Sequence, residues 1–141
     1  MKIVTMVAAG ILLTTGLAAR AGQTDDAATA YGKRDFATAF RLWHQAAENG
    51  DGSAQAMLGY MYHDGEGVAR NDVLAAMWFR LAFAQLQRAA LLNKDNRLFD
   101  LSTDTAHAIN LTEGQMTPTE ITEAHRKAYQ CQASGFKGCD R

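Results

Sequence analysis

Apolar residues recur at three- and four-residue spacings along most of the chain. Phe36, Ala39, Phe40, Trp43 and Ala47 make one stripe, and Ala54, Leu58, Met61 and Tyr62 make a second. A third runs through Leu74, Ala75, Trp78, Phe79, Ala82, Phe83 and Leu86. This spacing gathers apolar side chains on one face of a helix, whereas a half-buried strand would alternate them. Asp35 and Asn71 stand where N-caps belong, while Asn49-Gly50 and the run from His63 to Gly67 supply stops. Few strand signals occur, so the pattern predicts an all-α chain.

The later part of the chain follows the same logic with weaker stripes. No glycine or proline interrupts the stretch between Gly67 and Gly114, which predicts that the third helix runs on to about Leu92. The polar break from Asn93 to Asn96 ends it, and a further helix is expected from Arg97 to Thr112, using Leu98, Leu101, Ala108 and Ile109. Thr117-Pro118-Thr119-Glu120 is a compact helix start, with an N-cap, a first-turn proline and a capping-box glutamate. Ile121, Ala124, Ala128 and Cys131 then share one face.

Setting Asp35 on Asn71 gives an offset of 36 residues. Ala39 then falls on Ala75, Leu42 on Trp78, Trp43 on Phe79 and Ala46 on Ala82. A period of this size holding two helices is the mark of an α-solenoid, in which small residues sit where helices approach and aromatic residues fill between layers. Ala54, Leu58-Gly59, Tyr62, Gly65, Gly67-Val68, Asn71, Ala75, Trp78-Phe79 and Ala82 resemble the Sel-1-like repeat, a relative of the tetratricopeptide repeat. That unit reads roughly A-x3-L-G-x2-Y-x2-G-x-G-V-x2-D-x3-A-x2-W-[YF]-x2-A, and Asn71 stands where Asp is usual. The resemblance is strong over residues 54–83 and extends more weakly back to about Ala27. It implies a short α-solenoid of antiparallel helix pairs, with one full unit at 52–86 between an N-terminal cap and C-terminal capping helices at 96–133.

The N-terminus reads differently. Lys2 precedes an uncharged stretch from Ile3 to Leu17, and Ala19-Arg20-Ala21 offers small residues around a cleavage point. This layout predicts a secretory signal over residues 1–21 with cleavage after Ala21, a periplasmic or secreted location, and a domain of residues 22–141. The apolar run falls short of the ~20 residues that a bilayer core requires, so no membrane insertion is expected after cleavage. Losing Lys2 and Arg20 leaves 12 basic against 15 acidic residues, near −3. A mildly acidic protein has no bulk attraction for a nucleic-acid backbone.

The chain contains two cysteines, too few for a disulfide scaffold or a four-thiolate zinc site. Placing Ala124 on Ala39 puts Cys131 on Ala46 and Cys139 on Ala54, facing small positions of the repeat. Cysteine-rich members of the resembling family carry C-x7-C here. The resemblance therefore implies a Cys131–Cys139 disulfide, against the alternative of two free thiols in a frayed tail.

Candidate chemistry is sparse. No two of His44, His63, His107 and His125 are spaced i, i+4, and neither H-E-x-x-H, C-x-x-C, G-x-S-x-G nor a P-loop occurs. No cofactor and no metal is expected. The loop His63-Asp64-Gly65-Glu66-Gly67 is the richest polar cluster. It reads either as a base or metal ligand with an acidic partner, or simply as the interhelical turn of the repeat, which its glycine spacing already explains. With the first helix of the unit oriented as in tetratricopeptide relatives, Ser53, Ala56, Tyr60, His63 and Asp64 point into a concave groove. An aromatic with a polar rim is a suitable peptide contact. The expected function is thus a non-enzymatic adaptor binding other proteins or peptides. The alternative is an envelope hydrolase or β-lactam-binding protein, as linked to some cysteine-rich relatives.

Overall fold

The computed structural model describes residues 15–141, and within them every regular element is helical. There are six helices: α1 (Thr15–Gly32), α2 (Phe36–Ala47), α3 (Gly52–Asp64), α4 (Asp72–Asn93), α5 (Asn96–Glu113) and α6 (Pro118–Ala133). The signal reading of residues 1–21 lies largely outside the described residues. Among these, no helix is long and apolar enough to cross a membrane.

Short polar side chains start each helix from α2 onward. Asp35 accepts from the Thr38 amide at 3.2 Å, Asp51 from Ala54 at 2.9 Å and Asn71 from Leu74 at 3.0 Å. These bonds satisfy first-turn amides that have no partner within the helix. Thr117 and Glu120 form the expected capping box, with Pro118 in the first turn. The stops are equally local. Gly65 ends α3 in the left-handed conformation at φ +72°, its amide donating to the Met61 carbonyl at 2.9 Å. The break after α4 needs no glycine: Lys94 itself turns left-handed at φ 51°, and Asp95 caps α5.

α4 is the central element. It packs against α3 on one side and carries α5 and α6 on others, while α5 and α6 make almost no contact with each other. α1 packs on α2, and α2 on α3. The main core joins Ala39, Trp43, Leu58, Met61, Tyr62, Met77, Trp78 and Phe79. A smaller cluster joins Ala56, Ala82 and Leu86 to Leu98 and Leu101 of α5.

α1 was not anticipated as a full helix. Its last turns bury Ala27 and Ala30 against α2, and the Tyr31 ring meets Phe36 edge-on at 5.1 Å between centroids. The reversal between α1 and α2 uses Arg34 at φ 61°, with the Asp35 amide donating to Ala30.

The tightest helix approach is at Gly59 of α3. A β-carbon there would overlap the ring of Phe79, which is only 1% exposed and has nowhere to retreat. Gly59→Ala should therefore lower stability by about 1–3 kcal/mol through overpacking. Urea denaturation of the variant checks this, and an unchanged midpoint would show that α3 and α4 can separate freely.

Candidate functional site

The five groove residues all lie on α3, but they are not equivalent. Ser53, in the first turn, borders an open cavity of about 460 Å³ shared with Asp51, Gln85, Arg88, Leu92 and Leu98. Ala56 is 1% exposed and packs with Ala82 and Leu86, with α5 laid over the cluster through Leu98 and Leu101. It therefore offers no surface. Tyr60 is half-buried, its ring edge-on to Phe79 at 4.9 Å. Burial raises its hydroxyl pKa, and the nearby carboxylates of Asp104 on α5 and Asp64 add to the shift. Asp64 is exposed at the end of α3.

His63 meets the first turn of α4. Its Nδ1 lies 3.2 Å from Asp72 Oδ1, at an angle that makes no hydrogen bond. Asp72 also receives the Arg70 guanidinium, with Nε at 3.3 Å and Nη2 at 3.0 Å. Across the same loop the Tyr31 hydroxyl donates to Glu66 at 2.5 Å, and this bond, more than burial, pushes the phenol pKa up to about 12. The polar loop is thus tied to α1 and α4 through its own side chains. Among the described residues, no group of three or more His, Cys, Asp or Glu could hold a metal ion.

The most highly connected polar group lies elsewhere. Cys131 and Cys139 are bonded, with Cα atoms 5.0 Å apart, so the segment after α6 returns toward the repeats. The next residue, Asp140, places its carboxylate between three helices. Oδ2 lies 2.6 Å from His44 Nε2 of α2, and Oδ1 accepts from the Trp78 indole of α4 at 2.8 Å. The Tyr62 hydroxyl of α3 also bonds to it. Further contacts fix the segment: the Gly138 amide donates to Glu48 at 3.1 Å, and Phe136 packs beside Gly50. No spacing in the sequence pairs Asp140 with His44 or Trp78, which lie 96 and 62 residues away. The one available hint was its place beside Cys139.

These contacts set opposed shifts. The Asp140 bond raises the His44 pKa above its ordinary 6.5, with burial opposing. Burial pushes the Asp140 carboxyl up, but bonds from His44, Trp78 and Tyr62 outweigh it and leave it below its ordinary 3.8. Burial raises the Tyr62 phenol, and the Asp140 charge and bond raise it further. A group with a raised folded pKa stabilises fully below its unfolded value and loses that as pH climbs through the folded one. A depressed carboxylate does so above its unfolded value and loses it as pH falls. The contact should therefore contribute fully between pH 3.8 and 6.5 and fade beyond either end. Asp140→Asn should flatten both limbs, return His44 to its ordinary titration by NMR, and cost about 1–3 kcal/mol, because the donors lose a charged acceptor. A His44 titration unmoved by the substitution would show that another group holds it.

The Sel1 repeat family model matches residues 27–51 and 52–85. The second match contains the glycine loop and the Trp78-Phe79 pair. The first covers the end of α1 with α2, so the segment expected to be a cap is a repeat in its own right. No curated protein and no solved structure is matched by the chain. Two successive Sel1 repeats, spanning residues 27–85, thus form its N-terminal helical body.

Proposed function

We propose that the protein is an exported, non-enzymatic adaptor that binds other proteins or peptides through one face of a short α-solenoid. The observation that carries this reading is the pair of Sel1 repeats, a unit that typically mediates protein–protein interaction. The proposed contact surface is the outer part of α3, formed by Ser53, Tyr60, His63 and Asp64, with Ala56 as its buried support against α5. Half-burial supports Tyr60 in this role, since an aromatic anchored on one edge presents contact area at little entropic cost. The ties of His63 to Asp72 and of Glu66 to Tyr31 support reading the polar loop as an interhelical turn. The Cys131–Cys139 bond supports export, because disulfides persist in oxidising compartments.

Asp64 is exposed, so its charge can be reversed without disturbing the core. Asp64→Lys should weaken capture of the native partner at least ~10-fold, about 1.4 kcal/mol, with circular dichroism and melting temperature unchanged. Undiminished capture would remove the α3 face from the interface. In parallel, purified protein should leave a chromogenic β-lactam intact. Hydrolysis that disappears in His63→Ala would replace the adaptor reading with the hydrolase one. The mature N-terminus, sequenced from the native host, should be Gly22, and an intact Met1 would remove the signal.

A further inference from the structure

α4 runs on to Asn93, past the end of the second Sel1 match at residue 85. Leu81, Ala84, Gln85, Arg88, Ala89 and Leu92 recur along it at helical spacing, and each lines one of two surface cavities. The first, of about 260 Å³, has α6 as its wall through His125, Ala128, Tyr129 and Gln132. The second, of about 460 Å³, is walled by the turn into α3 and by Leu98 of α5. Gln85 lines both, so the two cavities meet in one trough floored by α4. From Leu81 to Leu92 the floor is about 16 Å long at the helical rise, the length of about five extended residues. Gly52 brings one wall close, since a β-carbon there would sit 3.0 Å from that of Gln85.

This trough is cationic in a chain whose net charge is -1. α4 carries no acidic residue after Asp72. Arg70, Arg80, Arg97 and Arg126 each hold a carboxylate. Arg88, exposed on the floor, has no such partner among the described residues. Asp51 is the one acid lining either cavity, and it is engaged as the cap of α3. Gln85 and Gln132 make no side-chain hydrogen bond among the described residues, and each carboxamide offers both donors and an acceptor. Leu92 and Tyr129, 74% and 77% exposed, stand in the two different cavities and give each end of the trough an apolar edge.

We propose that this trough docks a short extended peptide carrying a carboxylate between apolar residues. The carboxylate lies on Arg88, whose planar fork matches it in two parallel hydrogen bonds. The carboxamides of Gln85 and Gln132 pair with peptide groups, which an extended chain leaves unpaired and a helix satisfies internally. Apolar side chains on either side of the acid cover Leu92 at one end and Tyr129 at the other. The site adds a second surface to the α3 face and meets it only at Ser53. Its far wall, α6, lies outside both Sel1 matches.

The test selects displayed random peptides of about seven residues, long enough to span the floor, on the oxidised full chain. The best-enriched peptide is then synthesised with a fluorescent label and titrated by anisotropy. Enriched peptides should share one Asp or Glu flanked by apolar residues. Arg88→Glu should weaken binding at least ~10-fold, as expected when one partner of a charge pair is removed. The same variant should regain affinity for the peptide resynthesised with Lys in place of its acid. Ala84→Trp, at an exposed position, should fill the trough and block binding, with an unchanged melting temperature as the folding control. Asp64→Lys should leave the peptide bound, which separates this site from the α3 face, and amide NMR shifts on titration should centre on residues 84–92. Failure to enrich any peptide, enrichment without an acid, or binding that survives Arg88→Glu and Ala84→Trp would each overturn the proposal. Binding lost in Asp64→Lys but kept in Arg88→Glu would overturn it too, while upholding the α3 face.

Discussion

Three consecutive side chains of α4 hold the molecule together by facing three different neighbours. Phe79 sits against Gly59, where the lack of a β-carbon lets α3 come close. Trp78, one position earlier and about 100° around the helix, is fully buried and turns its indole N–H to Asp140 of the C-terminal segment. Arg80 reaches the end of α5, donating to Glu113 Oε1 from Nε at 2.7 Å, with Nη2 in ion-pair contact with the same oxygen at 2.6 Å. His125 of α6 approaches the same carboxylate oxygen at 3.7 Å. Within one turn, α4 therefore fixes its repeat partner, the tail and both terminal helices. A helix used on all sides must be apolar nearly all round, and ten buried residues on α4 meet that condition.

The indole of Trp78 makes the tail part of the fold. A buried N–H without an acceptor costs more than an average hydrogen bond gains. The repeat supplies no acceptor for it from its own helices, and the carboxylate arrives from residue 140. His44 and Tyr62 use the same carboxylate, so one acidic side chain closes the donor requirements of α2, α3 and α4 together. The disulfide shortens the chain that must be ordered to deliver it, which is how a covalent link and a polar contact reinforce one another.

The helices of the repeat pair were legible in the sequence because their determinants are local, although the first repeat read as a cap. Caps at Asp35 and Asn71, left-handed glycine at Gly65 and the Trp78-Phe79 pair each declare themselves within one turn or one motif. α5 was delimited to within one residue at each end, but its apolar stripe did not disclose that Ser102, Thr105 and Thr112 belong to the packed face. Ser102 donates to the Phe99 carbonyl and Thr105 to the Leu101 carbonyl, both at 2.7 Å, which lets polar residues occupy core positions without a lost hydrogen bond. α1 carried alanines and a tyrosine rather than a long apolar stripe. Asp140 was out of reach altogether, because its meaning depends on a chain reversal that only the folded disulfide segment provides. On the α3 face, the resemblance to tetratricopeptide relatives pointed five residues into one groove but could not reveal that α5 would lie over Ala56.

These arrangements bear on how so short an array is finished. A repeat buries its faces only by stacking, so both ends of a two-repeat body must be covered. α1 covers one end through Ala27, Ala30 and Tyr31. The other end is covered twice, by α5 over the Ala56 cluster and by α6 with its tail. An ordinary cap touches only the last unit. Here Asp140 reaches past the second repeat to His44 on α2, in the first, and Glu48 at the end of the same helix holds Gly138. The terminal segment thereby fixes the angle between the repeats as well as closing the stack. A face displayed by such a body loses little conformational freedom on contact, so binding energy there is not spent on ordering the scaffold.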